Sequence, residues 1–132
     1  MNIKTSKDLV DEAKKEITSI SAKETKNLLE KDEITLVDVR DIRELWKEGT
    51  IKNSIHIPRG MLEFWLDPES SYYKEKKIKN VKKLVLFCAL GMRSALATKS
   101  LQEMGFKNIA DVEGGFDALK SAGLEIIKKE KK

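Results

Sequence analysis

One cysteine, one histidine and two prolines stand in this chain of 132 residues, and aromatic residues make up 6% of it. A lone cysteine cannot close an intramolecular disulfide, so nothing asks for an oxidising compartment. With a single histidine beside it, a thiol–imidazole zinc site would need carboxylate help, and no metal or cofactor is expected. No apolar run approaches the length of a membrane span. Lys4, Lys7, Asp8, Asp11 and Glu12 interrupt the N-terminus, which leaves no apolar stretch for a signal peptide. The expectation is a cytoplasmic protein in which Cys88 stays a thiol. An excess of one charge is also missing: 26 basic residues are interleaved with 22 acidic ones, for a net charge of +4. The tail Lys128-Lys129-Glu130-Lys131-Lys132 lacks aromatic residues that would stack on bases, so it reads as a solvated end and not as a nucleic-acid arm.

What is present fits one soluble domain, residues 1–132, with 40% hydrophobic and 36% charged residues. Thr5 or Ser6 is placed to cap a first helix that runs to about Lys15, an N-terminal addition over residues 1–15. Glu16 to Ile20 reads as a short strand. Ser21-Ala22-Lys23-Glu24 has the form of a capping box opening a helix to about Lys31 that buries Leu28 and Leu29. Thr35 to Val39 is β-branched and apolar, as a strand should be. Asp41 to Glu48 predicts a short helix closed by Gly49. Ile51 to Ile57 leads into a short strand ended by Pro58, followed by the compact apolar segment Met61 to Trp65. Tyr72 to Val81 is charged surface. Lys83 to Phe87 reads as a central strand, Arg93 to Met104 as a helix, Ile109 to Val112 as a strand and Phe116 to Ala122 as a last helix, with a basic tail over residues 125–132. Strands alternating with helices imply an α/β domain with a mainly parallel sheet. Ligands of such sheets bind beyond the carboxyl ends of the strands. The segments Asp38 to Asp41, Pro58 to Glu63 and Cys88 to Ser94 all follow predicted strand ends.

Cys88 therefore falls where a doubly buried strand turns into a helix, in Leu84-Val85-Leu86-Phe87-Cys88-Ala89-Leu90-Gly91-Met92-Arg93-Ser94. Unpaired backbone N–H groups and the positive end of the helix dipole gather at such a place and favour an anion. Arg93 adds a positive charge. A thiolate is favoured by both influences, and it could take up a sulfane sulfur or attack a phosphate ester. The plainer reading of Cys88 is a small core hydrophobe. Ser94 is either a first-turn capping residue or a substrate contact, and Met92 either a lid or a packed side chain. His56, flanked by Ile55 and Ile57, reads as a hydrogen-bonded structural histidine more readily than as a base. Asp38 and Arg40 suggest a buried ion pair that fixes the strand end. Arg59 is either a crevice charge or an exposed loop residue, and Phe64 and Trp65 read as core.

These residues carry a resemblance. Leu36-Val37-Asp38-Val39-Arg40 followed by Glu44 and Gly49, then Ser54-Ile55-His56-Ile57-Pro58, then Cys88 to Ser94 with Met104-Gly105-Phe106 and Val112-Glu113-Gly114-Gly115-Phe116 downstream, resemble the single-domain rhodanese sulfurtransferases. The likeness spans roughly Ile20 to Leu124. It implies a rhodanese-like three-layer domain with a mostly parallel five-stranded sheet flanked by helices. It also implies that Cys88 becomes a persulfide, cradled by the loop Ala89, Leu90, Gly91, Met92, Arg93 and Ser94, with the amides of Ala89 to Arg93 as donors and Arg93 binding the anionic donor molecule. Asp38, Arg40 and Arg59 would stand behind or beside the loop. Cys88 to Arg93 spans six positions, the length that this family uses for sulfur, whereas its phosphatase and arsenate-reductase relatives use a longer loop. The partners implied are a small sulfur donor and a thiol or cyanide acceptor, or a protein of a sulfur relay. The chain departs from the pattern at Thr50, where histidine is common, and at Leu119, near where tryptophan is common. Ala89, Leu90 and Met92 also make the loop unusually apolar.

Overall fold

The computed structural model describes residues 2–74 and 82–131. Helix α1 (Ser6–Glu16) precedes strand β1 (Ser19–Ile20) and helix α2 (Ala22–Glu30). Strand β2 (Ile34–Asp38) leads to α3 (Ile42–Glu48), β3 (Thr50–Ile51) and β4 (Ile55–His56). A 3-10 turn (Arg59–Met61) and α4 (Leu62–Leu66) follow. The chain then forms β5 (Lys83–Phe87), α5 (Met92–Met104), β6 (Ile109–Val112), α6 (Gly115–Ser121) and β7 (Ile126–Ile127). Five strands pair in the order β1-β6-β5-β2-β4, all parallel, so β5 is the middle of the sheet.

Parallel strands need both faces covered, and the side chains alternate accordingly. Leu36, Val85, Phe87, Ala110 and Val112 point into one core with Phe116 and Leu119 of α6. Val37, Leu84, Leu86 and Ile109 point into the other, with Leu62 and Leu66 of α4 and Ala97 and Leu101 of α5. Cys88 belongs to this second core. Val10 and Ala13 of α1 form a satellite cluster with Ala95 of α5, so the N-terminal helix lies against the helix that follows the cysteine.

Local chemistry explains most boundaries. Thr5 caps α1 in a capping box with Asp8. Asp41 caps α3, and Glu44 returns a hydrogen bond to the Asp41 N–H at 3.0 Å. Several expectations shift. The strand expected over Glu16 to Ile20 shortens to β1, because α1 continues through Glu16. Ser21 accepts the Glu24 N–H at 3.0 Å, but only this half of the expected box forms. Leu28 and Leu29 are half-buried against the first core; Thr25 is the buried residue of α2. The basic tail is not wholly unstructured: Ile126 and Ile127 pair antiparallel with Ile51 and Thr50. Phe64 is half-exposed, edge-on to Tyr72 at 6.1 Å between ring centroids, and so is not core. Of the charged segment Tyr72 to Val81, residues 75–81 lie outside the described residues. No helix among the described residues is long and apolar enough to cross a membrane.

Candidate active site

Strand β5 ends at Phe87, and its carbonyl still accepts the Val39 N–H at 3.0 Å, so Cys88 leaves the sheet at the carboxyl edge of its middle strand. The chain must reverse within three residues to start α5. Gly91 makes this possible with φ of +104°, a conformation that costs other residues strain. The turn folds the loop back over its own sulfur. The Gly91 N–H donates to Cys88 Sγ at 3.1 Å and the Ser94 N–H at 3.4 Å. Ser94 Oγ lies 3.6 Å from Sγ. Two backbone donors and a hydroxyl thus meet one sulfur at the positive end of a 13-residue helix, an arrangement that stabilises negative charge there. Of the amides expected to form the cradle, that of Gly91 touches the sulfur; the second donor is Ser94, one residue beyond the expected run.

The loop is held from below by a close backbone approach. Phe116 N–H donates to the Cys88 carbonyl at 2.8 Å. A side chain on Gly115 would place its Cβ 2.4 Å from that carbonyl oxygen and 2.6 Å from that of Ala89, and Gly115 has φ of +59°. Gly115 is therefore required by contact with the cysteine loop as well as by its own turn, and Gly114, with φ of +76°, by its turn and by Ala118, 2.8 Å from the Cβ it would carry.

The charges around the loop are mutually engaged. Arg93 is 43% exposed, and its Nη1 and Nη2 donate to Glu44 at 2.8 and 2.9 Å. That fork holds the Glu44 carboxyl below its ordinary value, despite partial burial. Glu44 thereby joins α3 to α5, and its sequence signal was the acidic residue three positions after the Asp41 cap. Asp38 and Arg40 form the ion pair expected of them, fully withdrawn from solvent. Arg40 Nε and Nη2 donate to Asp38 at 3.0 and 2.8 Å, Nη2 also donates to the Gly49 carbonyl at 2.8 Å, and the guanidinium lies 4.1 Å from the Phe116 ring centroid. Thr50 Oγ1 donates to Asp38 at 2.7 Å, which gives the threonine found in place of histidine a buried task. His56 Nε2 lies 2.7 Å from the Arg40 carbonyl, a structural bond. Arg59 is ion-paired with Glu63 at 2.9 Å, and Glu63 also accepts from Ser100 on α5 at 2.6 Å. Burial opposes the Glu63 charge, yet these hydrogen bonds and Arg59 hold its carboxyl below the ordinary value. Leu90 and Met92 are 57% and 55% exposed, an apolar rim on the loop.

Asp111 was not anticipated. It sits on β6, 2% exposed, and accepts the Ser94 hydroxyl at 3.0 Å and the Ser19 hydroxyl at 2.5 Å. An acidic residue inside the apolar run Ile109-Ala110-Asp111-Val112 was the signal, since a buried carboxylate needs a reason.

A strand–loop–helix that wraps one cysteine in this way matches a known domain. The description "Rhodanese-like domain" fits residues 21–122. The chain belongs to the rhodanese family. Among its curated relatives, the thiosulfate sulfurtransferase GlpE of Coxiella burnetii is 31% identical over 102 residues, covering 77% of this chain and 86% of GlpE. Among solved structures, a polysulfide-sulfur transferase homodimer from Wolinella succinogenes superposes with a TM-score of 0.69 at 39% identity, over 91% of this chain and 85% of that one. RPA3614 of Rhodopseudomonas palustris, described as a protein of unknown function and possible tyrosine phosphatase, superposes with a TM-score of 0.88 at 40% identity, over 96% and 97% of the two chains. The rhodanese fold of this chain, an α/β domain on a parallel five-stranded sheet, is thus the one the motifs implied.

Proposed function

We propose that this rhodanese transfers sulfane sulfur by double displacement through Cys88. The observation that carries the reading is the convergence of the Gly91 and Ser94 amides on Cys88 Sγ at 3.1 and 3.4 Å. The thiolate attacks the outer sulfur of a donor such as thiosulfate. A Cys88 S–S bond forms, the donor's S–S bond breaks, and sulfite leaves with the bonding pair. The outer persulfide sulfur keeps the negative charge, and the helix N-terminus favours that charge as it favoured the thiolate. An acceptor nucleophile, cyanide or a thiol, then takes the outer sulfur and returns the thiolate. No metal or cofactor enters these steps. Arg93 offers its half-exposed cation to an anionic donor, at the expense of its fork with Glu44.

The exposed Leu90 and Met92 favour a donor or acceptor with apolar surface, such as an organic persulfide or a partner protein of a sulfur relay, over thiosulfate alone. Steady-state transfer from thiosulfate to cyanide tests the chemistry: Cys88→Ser abolishes it, and a variant with wild-type turnover would refute the mechanism. A second reading, phosphoryl chemistry, is prompted by the description attached to RPA3614. The six positions from Cys88 to Arg93 suit a single sulfur better than a tetrahedral phosphate. Robust hydrolysis of a phenyl phosphate without sulfur transfer would reverse that preference.

A further inference from the structure

The displacement just described requires a thiolate and leaves one buried acid unused. Among the described residues no cation is in hydrogen-bond contact with Asp111; its partners are the hydroxyls of Ser94 and Ser19. Ser94 is itself fully buried, and its Oγ stands between Asp111 Oδ2 at 3.0 Å and Cys88 Sγ at 3.6 Å. The three groups form a chain in which the thiol donates to the serine and the serine to the carboxylate. Asp111 also borders a cleft of about 460 Å³, lined by Lys14, Ser19, Gly91, Glu113 and Gly114.

We propose that Asp111 is a positioning residue that takes up the Cys88 thiol proton through Ser94. The S–H bond breaks as a new Ser94 Oγ–H bond forms, and the former Ser94 O–H bond breaks as Asp111 Oδ2–H forms. No electrons are exchanged with any other species. The negative charge moves from the carboxylate to the sulfur, where the Gly91 and Ser94 amides meet it. The Ser94 hydroxyl, now oriented by the Asp111 acid, donates to the thiolate. The surroundings suit a carboxyl that accepts a proton. Burial raises Asp111 above the ordinary aspartate value, Ser19, Ser94 and the Lys14 ammonium of α1 oppose that shift, and Glu113, just past the end of β6, adds to it. The cleft gives the acid a route to exchange its proton with solvent.

The proposal rests on Cys88 as the reacting sulfur, and its test reads that sulfur without requiring transfer. Because Cys88 is the only cysteine, the rate of its alkylation by iodoacetamide can be followed against pH in the full chain. Two coupled acids titrate as a pair, so the wild-type rate should climb in two steps. Asp111→Asn, which keeps the shape and can still bond both serines, should merge them into one. Ser94→Ala should lower the rate on the acidic plateau by about tenfold, the worth of a hydrogen bond to a charged group, and Ser94→Thr should restore it. A purely structural Asp111 leaves the profile of Asp111→Asn unchanged, and that result, or an unchanged profile in Ser94→Ala, would overturn the relay. If Asp111→Asn fails to fold, the Ser94→Ala and Ser94→Thr pair decides. Intact mass of the same wild-type sample after incubation with donors reports persulfide separately: a two-step profile with no persulfide would keep the relay and sink the transferase reading.

Discussion

Replacing Arg40 with methionine removes a charge from the largest side chain that is fully withdrawn from solvent among the described residues. Methionine keeps an unbranched stem against Phe116, so the change isolates the loss of the guanidinium. Four bonds disappear: Nε to both carboxylate oxygens of Asp38 at 3.0 and 3.2 Å, Nη2 to Asp38 at 2.8 Å, and Nη2 to the Gly49 carbonyl at 2.8 Å. Asp38 is left buried and charged. It is not bare, because Thr50 Oγ1 at 2.7 Å and the backbone N–H of residue 40 at 3.0 Å still donate to it. Removing one partner of a buried pair costs about 3–5 kcal/mol. The two surviving donors place Arg40→Met at the lower end, about 3 kcal/mol, within what a domain of this size tolerates. Urea denaturation of the wild type and variant gives the difference. Adding Asp38→Asn removes the stranded charge and keeps the donors supplied, so the double variant should recover about 1–3 kcal/mol. A loss below about 1 kcal/mol in Arg40→Met, the level of an exposed pair, or a double variant less stable than the single, would show that Asp38 is not left as an uncompensated buried charge.

Other substitutions read the cysteine loop. Gly115→Ala meets two carbonyl oxygens at 2.4 and 2.6 Å from a backbone with positive φ; it should cost at least about 1–3 kcal/mol in a melt and alter the alkylation rate of Cys88, and a wild-type value for both would contradict the close approach. Glu44→Gln should change stability by less than about 1 kcal/mol, since its fork with Arg93 is partly exposed, yet lower the KM for thiosulfate by freeing the Arg93 charge; an unchanged KM would count against Arg93 as the anion contact. Asp111→Asn should raise the Tm at neutral pH. Because the folded state holds the Asp111 proton more tightly than the unfolded chain, its contribution is favourable in acid and is lost as pH rises through the raised folded value. The gain should therefore vanish at low pH, and a variant destabilised equally at both would refute the sign.

The parts of the fold that were legible are those in which one stretch of chain decides the outcome. The apolar runs of β2 and β5 could only be strands buried on both faces, and Thr5, Asp41 and the glycines after α3 and α5 mark helix ends by local chemistry. The turn of the cysteine loop was legible at Cys88 and Gly91 for the same reason, since a loop feeding a helix states its polarity in its own residues. What was not legible joins distant segments. Arg93 meets Glu44, Glu63 meets Ser100, and Ser94 meets Asp111, and no periodicity relates these pairs. The strand β7 was hidden because its two isoleucines are followed by lysines, and only the antiparallel pairing with Thr50–Ile51 orders them. The boundary of α1 moved because helix and strand readings compete over Glu16 to Ser19 until the sheet fixes where β1 can pair.

Sulfur transfer by this chain stands or falls on sulfur carried by Cys88. Intact mass of the purified protein after brief incubation with thiosulfate, polysulfide or an organic persulfide, followed by peptide mapping, measures it directly. Cys88 should gain one sulfur atom with at least one donor and lose it on addition of cyanide, and Cys88→Ser should show no such gain. No sulfur adduct from any of these donors, or an equal adduct on the serine variant, would contradict it.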